Sequence, residues 1–378
     1  MRVLFAPDSF GGTLTAAGAA DAMAEGWART VPGDVLVRLP LADGGTGFVE
    51  VLHTARGGDL HRVVVTGPAG RPTEAVWLAL DDTAYLESAS ACGLHLVDAR
   101  TPAGAAAATS RGVGEMVAAA SGTGVARLVV GLGGSACTDG GAGMLAALGA
   151  PPRDAAGVEL PDGGTPLAEV ASVDGLDAVR ELLRGVELVV AADVDHPLTG
   201  ELGAARVFGP QKGADDATVA ALDAALTRWG AVLGAACGRP GLADEVGAGA
   251  AGGLGAALAA LGARRVGGGE LVRDVAGLDE ALAGADLVVT GEGRLDPQSL
   301  HGKLVSVVAA RARERGVPCV ALAGQVDISV GEALEAGIEG AYSVAADAGS
   351  IEAALAEPAP RLADLAAGVA RHWGARPA

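Results

Sequence analysis

Residues 131–144 read "GLGGSACTDGGAGM". The apolar run "ARLVV" precedes them and the run "LAALG" follows. A buried strand, a glycine-rich loop and a helix in that order make a βα unit, and β-strands alternating with helices build a parallel sheet. Six of the fourteen residues are glycine, so the loop has little side chain to keep a neighbour away. The same event recurs along the chain, where an apolar run ends in glycine, an acid, or both. It happens at Asp8-Ser9, Asp43-Gly44-Gly45, Asp193-Val194-Asp195 and Gly291-Glu292-Gly293.

Outward from this loop, the two ends of the chain share one grammar. "RVLFA" reads as a strand buried on both faces, and "TLTAAGAADAMAEGWART" as a helix capped by Thr13 or Thr15. "DVLVRLPLA" and "FVEVLHTA" repeat the unit, and "AGADLVVTGEGRLD" and "VPCVALAGQVD" resume it near the end. Between them, "RVVVTGPAG", "AVWLAL" and "AYLESA" read as strands of a hairpin type, with "DDT" as one turn. The expected fold is therefore α/β with two domains. A parallel-sheet domain is built from residues 1–64 and 285–378, and a second α/β domain, 65–284, is inserted into it.

Composition narrows the function. The 378 residues carry a net charge of −19, which argues against nucleic acid or an anionic membrane as partner. The four cysteines, Cys92, Cys137, Cys237 and Cys319, are scattered and read as free thiols of a reducing compartment. "MRVLFAPDSF" has no signal-peptide pattern, and no run reads as a membrane span, so a cytoplasmic location is expected.

Ligands of open parallel sheets bind beyond the carboxyl ends of the strands, where glycine lets an anion approach the backbone. A polyphosphate with a small polar molecule suits such a rim. Gly131-x-Gly133-x-x-Ala136 also fits a dinucleotide fingerprint, although "PPRDAAG" does not look like the end of the second strand that this requires. There is no Walker pattern, no protein-kinase motif set, no G-x-S-x-G around Ser135 and no histidine pair at zinc spacing. Asp193 and Asp195 stand two apart at a strand end, which in extended chain puts both carboxylates on one side. Such a pair can hold Mg²⁺, or divide the roles of base and metal ligand. Only two lysines occur, Lys212 and Lys303, and both lie in glycine-rich segments. A compact ammonium in a chain that otherwise uses arginine marks positions where a phosphate or carboxylate pocket needs it.

"APDSF", "LPLADGGTG", "GLGGSACTDGGAGM", "AADVDHPLTG", "FGPQKGA", "GAGAAGGLG" and "TGEGRLDPQSLHGK" occur in this order. Together they closely resemble the type I glycerate kinases, from about Arg2 to beyond Gly340. The resemblance implies a Rossmann-like domain with an inserted second domain and a site in the cleft between them. It implies ATP-dependent phosphorylation of D-glycerate, usually at the 2-hydroxyl, with Mg²⁺. On that reading Asp193 and Asp195 hold metal or deprotonate the hydroxyl. Lys303, Arg294 and Lys212 neutralise phosphate or carboxylate, and Asp8, Ser9 and Asp43 line the substrate pocket. Ser135 and Asp139 add polar contacts, and Gly133, Gly134, Gly291 and Gly293 give phosphate its backbone approach. The alternatives are a 3-phosphorylating kinase, an NAD(P)-dependent hydroxyacid oxidoreductase using "GLGGSA", and a non-catalytic sensor of glycerate or nucleotide. Two departures from the family stand out: Gly11 where lysine is common after "DSF", and His196 where asparagine is usual.

Overall fold

The computed structural model describes residues 1–300 and 303–374. The chain is α/β and divides into two compact units, residues 1–43, 50–57 and 269–378 in one, residues 44–49 and 58–268 in the other.

The first unit is built on five parallel strands, in the order Gly340–Ser343, Cys319–Ala323, Leu287–Gly291, Arg2–Pro7 and Val35–Arg38. Arg2–Pro7 lies second from one edge, and its Val3, Leu4, Phe5 and Ala6 are fully buried. This is the both-faces burial that an all-apolar parallel strand requires. Helix Ala16–Thr30 starts at Thr15, whose side chain accepts from Gly18 N. It packs on helix Pro358–Trp373. A Cβ on Gly26 would lie 2.0 Å from the Ala363 carbonyl oxygen, so glycine is what lets the two backbones come this close. Trp27 is buried beneath them, edge-on to Phe5 at 5.9 Å, with its indole N–H on Asp34.

The second unit has a six-stranded mixed sheet. Arg264–Val266, Glu187–Ala191, Arg127–Gly131 and Thr83–Glu87 run parallel; Pro72–Leu80 and Asp59–Thr66 follow antiparallel. Asp81 turns the Leu80–Thr83 hairpin with φ +54°. Among the described residues one helix, Asp216–Ala236, is long and apolar enough to cross a membrane by length and composition. Its Leu222, Leu226, Trp229 and Leu233 are fully buried in this unit's core, which accounts for its apolar character.

The unit boundaries differ from the sequence expectation by physical cause. Asp59–Thr66 pairs along its whole length with Pro72–Leu80, so the strand belongs to the second sheet although it starts before residue 65. Residues 269–284 group with the first unit, where Arg315 pairs with Asp279 at 3.2 Å and Arg56 donates to the Val275 carbonyl.

Candidate active site

In the first unit the carboxyl ends of the central strands open into a cleft of about 480 Å³. Ser9, Gly11, Glu292, Arg294, Asp296 and Lys303 are among its polar lining. The strand Arg2–Pro7 passes into Asp8, whose N–H donates to the Gly291 carbonyl, and Asp8 Oδ1 accepts the Ser9 N–H at 2.6 Å. Gly291 sits beneath the cleft: a Cβ there would lie 2.0 Å from the Leu322 carbonyl oxygen, so this glycine serves strand packing. Gly293 is at the surface of the cleft, and its carbonyl accepts from Gln325 N.

The electrostatics of this rim are unusual for an acidic chain. Burial, then the neighbouring Asp43 charge, pushes the Asp8 carboxyl up to about 7; Glu292 adds to this, and the Ser9 N–H opposes it. Burial also raises Glu292, against the pull of the Ser299 hydroxyl and Lys303. Glu292 Oε1 is buried with no hydrogen-bond partner among the described residues. Arg294 is exposed and pairs with Asp327 at 2.6 Å. Lys303 stands at the N-cap of helix Leu304–Glu314 and its side chain makes no capping hydrogen bond, and a helix start of this kind favours an anion. Gly11 adopts φ +52° with open space where a Cβ would be, so the backbone disfavours a longer side chain there although room exists. His301, two residues before Lys303 in sequence, lies outside the described residues.

The loop 131–144 has a different use from the expected phosphate cradle. Cβ atoms on Gly133 and Gly134 would meet Gly45 Cα at 2.6 Å and Thr46 Oγ1 at 2.5 Å. On Gly140 and Gly141 they would meet Trp229 and Ala257 at 2.3 and 2.4 Å. In the Cβ direction the bare backbone of these glycines admits other parts of the same unit. Asp139 is fully buried and accepts from Ser110 N, Ser110 Oγ, Gly141 N and Gly143 N. It is a carboxylate that ties a turn together, and burial raises its pKa despite those donors. Lys212 is buried as well. Its ammonium donates to the Cys137 carbonyl at 2.6 Å and the Ser135 hydroxyl at 3.2 Å, with Thr138 Oγ1 at 3.4 Å. These partners brace the loop, so Lys212 and Ser135 have structural work in this conformation. Desolvation lowers the Lys212 pKa.

Asp193 and Asp195 do not act as a matched pair. Asp193 Oδ1 accepts from Gly268 N at 2.8 Å, while Asp195, largely exposed, is held by Arg265 at 2.5 Å. Among the described residues no group of three or more His, Cys, Asp or Glu forms a metal site. An oxygen-seeking ion that keeps several waters and takes phosphate oxygens needs only one or two protein carboxylates, so this donor chemistry fits Mg²⁺ through Asp193 but not a closed cage.

The structure thus gathers Asp8, Ser9, Gly293, Arg294 and Lys303 at one rim, with the Asp43 charge acting on Asp8. It adds Glu292, Asp296, Gln325 and an apolar wall that includes Leu14, Ile351 and Leu355. "GEGR" carried the signal for Glu292. The apolar wall had none, because Ile351 and Leu355 read as one ordinary helix face.

The model of the glycerate kinase family matches residues 3–374. The chain belongs to the glycerate kinase family. It is 42% identical to a glycerate kinase of Bacillus subtilis (strain 168), over 94% of this chain and 93% of that protein. It is 41% identical to a glycerate 2-kinase of Escherichia coli (strain K12), with the same coverage of both. The fold is similar to a crystal structure from Salmonella typhimurium LT2 assigned as glycerate kinase 2, with TM-score 0.81 and 39% identity over 99% of this chain and 98% of that one. Within this glycerate kinase, His196 at the asparagine position is anchored locally: Nδ1 lies 2.8 Å from the Leu202 carbonyl oxygen and the ring meets Phe208 edge-on at 5.1 Å.

Proposed function

We propose that this chain transfers the γ-phosphoryl group of ATP to D-glycerate at its 2-hydroxyl, giving 2-phospho-D-glycerate and ADP. The observation that carries the reading is family membership across residues 3–374, joined to a cleft that sets Arg294 and Lys303 among acids at strand carboxyl ends. In the reaction the hydroxyl oxygen forms a bond to the γ-phosphorus, the bond from that phosphorus to the β–γ bridging oxygen breaks, and the hydroxyl proton passes to a base. Such transfer needs positioning and charge neutralisation more than covalent help from the protein.

Lys303, Arg294 and the helix start at Leu304 supply positive potential for phosphate oxygens in this reading. Ser9, Asp8 and Asp43 are polar groups for the acceptor, and Gly293 allows its backbone to be approached. Asp193 is the carboxylate assigned to Mg²⁺ or to the hydroxyl proton. When bound, Mg²⁺ would offset charge on the transferring phosphoryl group. Asp195, engaged by Arg265, is left out of the metal role, and Ser135, Asp139, Lys212, Gly133, Gly134 and Gly291 are left to structure. The test is incubation with ATP, Mg²⁺ and D-glycerate, followed by NMR of the product. Formation of 2-phosphoglycerate with equimolar ADP is expected. The 3-phosphate would overturn the position of transfer, and no phosphoglycerate would overturn the activity.

A further inference from the structure

We infer that the cleft of the first unit is the nucleotide site, with the adenine base in its apolar end against Leu14, Ile351, Leu355 and Pro358 and the phosphates toward Gly293, Arg294 and Lys303. This rests on the ATP-dependent reading above and adds to it the place and orientation of the nucleotide.

The cleft has two chemistries. Its lining includes polar side chains, Ser9, Thr13, Glu292, Arg294, Asp296, Lys303 and Gln325, and apolar ones, among them Leu14, Val344, Ile351, Leu355 and Pro358. Its volume of about 480 Å³ lies within the range of small-molecule sites, roughly 300–1,000 Å³. Ile351 and Leu355 are 44% and 57% exposed. They stand four apart on helix Ile351–Ala356, which Ala354 anchors in the core. A single exposed leucine needs no explanation. Two large apolar side chains on one turn, facing a slot walled by Leu14 and Pro358, leave apolar surface that something should cover.

The substrates differ in which of them can do so. Glycerate is three carbons carrying a carboxylate and two hydroxyls, with no apolar face to offer. The purine of ATP is planar, and it is the one largely apolar part of either substrate. Lys303 and the N-terminus of the eleven-residue helix that it opens meet the requirements of a polyphosphate. In the same lining, Glu292 Oε1 is buried and has no donor among the described residues. A carboxylate oxygen there repels phosphate and accepts an O–H, which a ribose hydroxyl supplies. The three chemistries of the lining, apolar surface, a buried acceptor and cations, match those of base, ribose and phosphates.

The experiment is calorimetric titration of the full chain and of Ile351→Asp and Leu355→Asp with ATP, and separately with inorganic tripolyphosphate. Both positions are exposed enough for the fold to accept aspartate, and circular dichroism checks this. The expected result is a rise in Kd for ATP of at least about tenfold in each variant, with Kd for tripolyphosphate within twofold of the unmodified chain. Leu355→Met should keep ATP affinity. ATP binding unchanged in both aspartate variants would overturn the placement, and so would equal losses of ATP and tripolyphosphate or failure of tripolyphosphate to bind the unmodified chain. The two readings fail distinguishably. If the unmodified chain makes phosphoglycerate from ATP but the variants bind ATP normally, only the placement falls; if it neither binds ATP nor phosphorylates glycerate, both fall.

Discussion

Replacing Asp8 by asparagine should stabilise the protein, and increasingly so as the pH rises. The Asp8 carboxyl stands at about 7 in the fold against 3.8 as its ordinary value, chiefly because it is buried and faces Asp43 and Glu292. The fold therefore binds the Asp8 proton more tightly than the unfolded chain does. Between the two values the unfolded chain carries fewer protons, so stability is full below 3.8 and is lost as the pH climbs through 7. Each pH unit between them is worth about 1.4 kcal/mol, which makes the whole effect about 4 kcal/mol and the part falling between pH 5 and pH 8 about 2.6 kcal/mol. Asparagine keeps an oxygen for the Ser9 N–H and cannot ionise, so the variant escapes this loss. For a domain of 150–250 residues each kcal/mol moves Tm by about 2–4 °C. The Tm difference between Asp8→Asn and the unmodified chain should then grow by about 5–10 °C from pH 5 to pH 8, read by differential scanning calorimetry without ligand. Comparing the two chains at each pH cancels the other titrating groups to first order. A difference constant within about 1.5 °C would show that Asp8 ionises normally in the fold, and would remove the reasoning that burial and like charge shape this rim.

Further outcomes follow from other residues. Asp193→Asn should lower kcat by about 10²-fold or more with an unchanged circular dichroism spectrum, the size usual for loss of a proton-transfer group; near-normal turnover would dismiss Asp193 from both its assigned roles. Lys212→Arg should cost about 1–3 kcal/mol through overpacking, because a planar guanidinium must enter a space closed on an ammonium by Cys137 and Ser135; a Tm within 1 °C of the parent would contradict the brace. Because the side chains placed against the base, Leu14, Ile351, Leu355 and Pro358, are all apolar, kcat/KM with GTP should lie within about tenfold of that with ATP, and a preference above a hundredfold would point to a polar residue reading the base.

Much of the fold was legible because parallel strands advertise themselves. "RVLFA" and "ARLVV" have no polar alternation, and both turned out buried on two faces, as Val3–Ala6 and Leu128–Val130 show. The limits of the elements and units were less legible. "DVLVRLPLA" is a strand only over Val35–Arg38. The place of Asp59–Thr66 depends on its partner Pro72–Leu80, and pairing is a property of two segments at once. The rim residues Asp8, Ser9 and Arg294 could be picked out because strand ends are where such sheets bind ligands. Their charge states could not, since the rise at Asp8 comes from burial first and then from Asp43 and Glu292, which are far from it in sequence.

The lysines show why residue scarcity and glycine density are incomplete guides. Lys212 and Lys303 are equally rare and equally set in glycine-rich segments, yet one is buried with its Nζ on a carbonyl and two hydroxyls, and the other lines an open cleft at a helix start. A buried ammonium is retained only where acceptors replace its water, and the loop 131–144 can provide Cys137 O, Ser135 Oγ and Thr138 Oγ1 together because its glycines let it fold tightly. The same glycine that admits a phosphate also admits a neighbouring backbone, as Gly133 does for Gly45. Sequence supplies the permission for close approach. Which partner takes it is decided by the rest of the fold: at Gly133 it is Gly45, and even at Gly293, which lines the cleft with Lys303, a Cβ would meet Gly11 N at 3.1 Å.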